Sequence, residues 1–170
     1  MKKLMLVAAM VLGTVGMSYA QTSASITAPI TADVQVALSI SKTGTIAFGT
    51  VYTGTAPSAN PYSSSGIAEF TISGNPSTNV TINVDASDPL TGPTGSTPLT
   101  FTPNVVGWAS STQPTSGNSI TSTGNPYTLG AATTGNAGYF YLWVGGSISS
   151  IPTSQVSGAY QGTVTVQVQY

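Results

Sequence analysis

Every even-numbered residue from position 26 to position 40 is apolar: Ile26, Ala28, Ile30, Ala32, Val34, Val36, Leu38 and Ile40. The odd positions between them hold Thr27, Pro29, Thr31, Asp33, Gln35, Ala37 and Ser39. A strict period of two marks an extended strand with one apolar face, because successive side chains of a pleated chain point to opposite sides. Pro29 removes a ladder donor, so the stretch is expected as two strands or as an edge strand broken there. The same alternation returns at Ala68, Phe70 and Ile72, then at Val80, Ile82, Val84 and Ala86, and at Val164, Val166, Val168 and Tyr170. Gly74-Asn75-Pro76 separates the first two of these runs and predicts a hairpin.

The remaining segments fit the same class. Residues 45–51 (Thr-Ile-Ala-Phe-Gly-Thr-Val) read as a short strand, and residues 99–108 as one or two. Residues 138–146 are apolar on both faces, as a central strand covered on both sides would be. Strong helix formers are scarce, with one Glu and no Arg in 170 residues, while Thr, Ser, Val, Ile, Tyr and Gly dominate. Seven to nine short strands joined by turn signals predict an all-β fold, an antiparallel immunoglobulin-like β-sandwich. An eight-stranded outer-membrane β-barrel is the alternative of similar size, since its strands alternate in the same way. The interrupted middle strands and the lack of two aromatic girdles count against it.

Charge and composition remove whole function classes. Only 4% of the residues are charged, against roughly 25% in an ordinary soluble domain. There is no His and no Cys, so no imidazole relay, thiol centre or His/Cys zinc site can be built. A basic stripe for nucleic acid is equally out of reach with three lysines. No G-x-G pair occurs, which removes the dinucleotide fingerprint. The expectation is a protein that is not an enzyme and has no cofactor, no metal and no catalytic residue.

Residues 1–20 read as a secretory signal peptide. Lys2 and Lys3 form its positive start, residues 4–17 its apolar run, and Ser18-Tyr19-Ala20 a small-x-small cleavage site. That run is too short for a membrane span. Cleavage leaves residues 21–170 with one lysine, Lys42, and four acids, Asp33, Glu69, Asp85 and Asp88. Residues 21–32 are then an N-terminal extension, and residues 33–170 a single sandwich domain.

Three stretches carry a family resemblance. They are Val34-x-Val36-x-Leu38-x-Ile40, then Ile46-Ala47-Phe48-Gly49-Thr50-Val51, and Gly158-Ala159-Tyr160-Gln161-Gly162-Thr163-Val164-Thr165-Val166. Together they resemble the secreted bacterial family known as domain of unknown function 4402 and, more distantly, spore coat protein U and the archaic chaperone–usher pilins. The chain lacks the cysteine pair found near the start of many of those pilins. The resemblance implies a subunit of a surface filament at or outside the cell surface, a homopolymer of this chain. Its sandwich would be one strand short and filled by the N-terminal segment of the next copy. It also implies a periplasmic chaperone and an outer-membrane usher as partners.

Specific residues are matched to these roles. Ala24, Ile26, Ala28 and Ile30 share one side of the extension and suit a donated strand. Val164, Val166, Val168 and Tyr170 form the closing strand, which a chaperone would hold. The extension could equally be the first strand of a sandwich complete in itself. A monomeric secreted adhesin or glycan-binding sandwich is the alternative function, with Tyr139, Tyr141 and Trp143 as a sugar-stacking platform; core packing is their competing role. Tyr160 is expected to bond back to a loop, as a tyrosine corner does. Asp85 and Asp88 flank a turn and are read as caps in preference to calcium ligands. Asn79-Val80-Thr81 has the form of a glycosylation triplet but falls on an expected strand.

Overall fold

The computed structural model describes residues 25–63, 65–85, 88–120, 124–132 and 135–170. Residues 1–20, expected as a signal peptide, lie with Ala24 and Ala86 outside the described residues. The chain divides into two units at Asp33 and Val34. In the first, residues 25–33 carry no strand or helix and every side chain is exposed.

The second unit is all-β, with nine strands in two antiparallel sheets among the described residues. The larger sheet holds β1 (Ser39–Gly44), β3 (Ala68–Gly74), β8 (Gly138–Ile148), β6 (Leu99–Trp108) and β5 (Asp88–Leu90) in that order, with β2 (Ser58–Ala59) paired to the end of β8. The smaller one orders β7 (Pro126–Thr128), β4 (Asn79–Val84) and β9 (Val166–Gln169). Neither sheet closes on itself, and their inward faces share one core. Ala68, Phe70 and Ile72 of β3, Phe140, Leu142 and Val144 of β8 and Val105 of β6 meet Val80, Ile82 and Val84 of β4. A smaller cluster of Leu99, Phe101, Ile148 and Ile151 fills one end. The buried set contains no polar or charged side chain among the described residues. Burial of apolar area and the strand ladders therefore hold the sandwich together.

Two expectations change. The run at 68–72 and the run at 80–86 do not form a hairpin: β3 and β4 lie in different sheets. Both edges of β3 are occupied, by β1 in register Ile40↔Ile72 and by β8 in register Ile72↔Phe140. The chain after Gly74 must therefore arch across to the other layer, with Ser77 at φ 57° in the turn. The alternation that begins at Ile26 becomes a strand only at Ser39, and residues 45–51, expected as a strand, pair with nothing as a ladder.

Candidate functional site: an open groove between two strand edges

β1 and β9 are the outermost strands of their sheets on one side, and neither has a partner on its free edge among the described residues. Gly44, at φ 76°, ends β1 in the left-handed region that a side chain resists. The chain then leaves the larger sheet and runs as a rail through residues 45–52. This rail keeps one backbone bond near its start, Ala47 N–H to Gly66 O at 3.4 Å. Its far end is anchored where Gly54 N–H donates to Ile151 O at 2.7 Å and Ile151 N–H donates to Thr55 O at 2.9 Å.

A second rail, residues 155–164, leads into β9. It is pinned to the end of β5 by the reciprocal pair Thr91 N–H to Gln161 O at 2.8 Å and Gln161 N–H to Thr91 O at 2.9 Å. Tyr160 donates its hydroxyl to Val156 O and accepts from Gln155 Nε2, both at 2.7 Å, so its side chain does bond back to a loop. Asp85 accepts Thr165 N–H at 2.9 Å and so joins β4 to the approach to β9, a cross-strand link rather than a turn cap. Asp88 opens β5; its side chain lies outside the described residues.

Between the rails lies a groove of about 1130 Å³. Its floor is apolar: Ala68, Phe70, Leu99, Phe101, Ile148 and Ile151. Phe48 of the first rail packs edge-on to Phe101, centroids 5.9 Å apart at 72°. Among the described residues no hydrogen bond joins residues 45–53 to residues 155–165. The groove is thus an apolar trough flanked by two stretches of chain that make no hydrogen bond to each other among the described residues.

The flanking strands are incompletely covered. Ile40 lies opposite Ile72, which is fully buried, and shares its inward phase, yet Ile40 is 42% exposed. Val164, Val166 and Val168 pack on the main core from one side and are only half-buried. Ile82, on the middle strand of the smaller sheet, is by contrast fully buried.

The residues matched to donation are placed as follows. Ile26, Ala28 and Ile30 are described and exposed, the isoleucines at 99% and 98%. Tyr170 is half-exposed, and its hydroxyl donates to Val36 O at 2.9 Å while accepting Asn75 N–H at 2.8 Å. Asn75 Oδ1 in turn accepts Val36 N–H at 2.9 Å. Sequence reasoning missed this triangle and the floor residues from β6 and β8. The continuing phase of Ile46 and Phe48 was the one available signal for the first rail.

The aromatic run on β8 divides. Tyr139 and Tyr141 lie half-buried with near-parallel rings at 6.3 Å, beside Trp108. Trp143, the third ring, is buried at 2% exposure, so the outer face offers no three-ring platform. Among the described residues no group of three or more His, Cys, Asp or Glu side chains is placed to hold a metal ion, and no helix is long and apolar enough to cross a membrane. No protein-family model and no curated protein matches the chain.

Proposed function

We propose that this chain is the repeating subunit of an extracellular bacterial filament that polymerises by β-strand donation. Residues 24–30 of one copy lie in the groove of the next, with Ala24, Ile26, Ala28 and Ile30 toward the floor. The observation that carries this reading is a pairing of opposites: a groove with an apolar floor beside the free edges of β1 and β9, and isoleucines at 26 and 30 that no described residue of their own chain covers.

The energetics favour the exchange. Each isoleucine moved from water into such a floor contributes about 1.5–3 kcal/mol, and the backbone of the added strand completes two ladders at once. The contact is head-to-tail, so it propagates without closing. Thr, Ser, Asn and Gln surfaces bond to neighbours with little net repulsion, which suits dense packing of identical copies. A subunit with an unfilled groove exposes an aggregation-prone edge, which supports a periplasmic chaperone that holds β9 until an outer-membrane usher delivers the next copy.

Removal of residues 21–29 tests this directly. The shortened chain should fold and stay monomeric, and a synthetic peptide of residues 21–32 should bind it with a gain in thermal stability. A shortened chain that still forms filaments, or a peptide that does not bind, overturns strand donation.

A further inference from the structure

We infer that Tyr170 is the stop that closes one end of the groove and sets the register of the incoming strand. The inference rests on the strand-donation reading and adds to it the residue that determines where the donated segment comes to rest. Followed toward lower numbers the first flank passes β1 and reaches Val36; followed toward higher numbers the second passes β9 and reaches Tyr170. These two ends meet. Tyr170 shares the inward phase of Val166 and Val168, and its side chain crosses to the larger sheet, a gap of roughly 10 Å between packed layers. There its hydroxyl holds Val36 O and Asn75 N–H.

The crossing is fitted closely. A Cβ built on Gly74, the inward-facing end of β3, would lie 2.5 Å from the Tyr170 hydroxyl and 3.2 Å from Leu38 Cδ1. Among the described residues the opposite end of the groove has no such tie between the rails.

The donated segment needs a stop because of its own pattern. Its inward positions alternate small and large: Ala24, Ile26, Ala28, Ile30, Ala32. A slip of two residues puts every isoleucine where an alanine belongs and is penalised by packing. A slip of four reproduces the pattern and is not. Only a physical end to the groove separates the correct register from its four-residue neighbour.

The chain contains no cysteine, so engineered disulfides read the register without background. Thr163→Cys on the second rail is combined, one at a time, with Ser23→Cys, Thr27→Cys or Thr31→Cys, positions four apart on the donor's outward side. Oxidised polymer with Tyr170 intact should give disulfide-linked dimers at one donor position. With Tyr170→Phe, which keeps the ring, the yield there should fall to roughly half or less and reappear four residues away. Tyr170→Leu, which removes both the hydroxyl and the ring that carries it to Val36 O and Asn75 N–H, should give the same redistribution if Tyr170→Phe fails to fold.

An unchanged single position in a folded Tyr170→Phe or Tyr170→Leu polymer overturns the stop, as does spreading over several positions when Tyr170 is intact; both leave strand donation standing. Failure of the Tyr170-intact chain to form intermolecular links at any position overturns strand donation and the stop with it.

Discussion

The Tyr170 hydroxyl donates to the Val36 carbonyl at 2.9 Å, a bond that spans 134 residues of sequence. It joins the free edge of the smaller sheet to the chain just ahead of β1, and Asn75 completes the triangle from the arch that follows β3. Tyr170→Phe removes one donated and one accepted hydrogen bond. At about 0.5–1.5 kcal/mol each, and at the low end for a half-exposed site, the variant should lose about 1 kcal/mol in urea unfolding. The m-value should not change. Asn75→Ala should not add its full cost to Tyr170→Phe, since the two share the triangle.

Gly74→Ala should be costlier than a strand Gly-to-Ala change normally is. The new methyl meets the Tyr170 hydroxyl at 2.5 Å and Leu129 Cδ1 at 3.0 Å, so either the bridge opens or the core shifts. A loss of about 1–3 kcal/mol is expected. Calorimetry of the purified subunit checks it, and near-wild-type stability would mean the bridge yields at no cost.

Ile82 and Ile26 should behave in opposite ways although they are the same residue type. Ile82 is fully buried, and Ile82→Ala should cost the isolated subunit about 2–5 kcal/mol. Ile26 is 99% exposed, so Ile26→Ala should leave subunit unfolding unchanged. It should weaken subunit–subunit association by roughly ten- to a hundredfold, the equivalent of about 1.5–3 kcal/mol. Sedimentation of polymer against dilution measures the second effect.

Association should be nearly indifferent to salt. Lys42 is the one cation lining the groove among the described residues, and the proposed donor positions carry no charge. Raising ionic strength from about 0.05 to 0.5 M, which shortens the screening length severalfold, should change the critical concentration for polymerisation by less than about twofold. A steep rise would point to ion pairs at the contact and away from apolar burial.

Much of the architecture was legible because alternation reports burial directly. The even-odd pattern at Ala68-Phe70-Ile72 and Val80-Ile82-Val84 marks the side chains that reach the core. The apolar run at 138–146 marks β8, which is central. Pairing was less legible: Gly74-Asn75-Pro76 announces a reversal, but a hairpin and an arch between layers use the same turn residues. What decides between them is that β1 and β8 already occupy both edges of β3, and those partners are remote in sequence. The groove was half legible. Val164 lies on one flank of it, within a run whose alternation is plain in the sequence. Phe101 and Ile148, from β6 and β8, reach the floor through long-range packing that no local pattern encodes.

The position of β8 has a consequence for the order of events. This strand pairs with β3 along seven residues and with β6 along eight, and both partners precede it by tens of residues. No earlier portion of the polypeptide can close the larger sheet without it, so the topology favours slow, late, all-at-once folding. For a chain read as exported, that delay is useful: most of its length can be threaded across a bilayer before a stable structure exists to jam the passage.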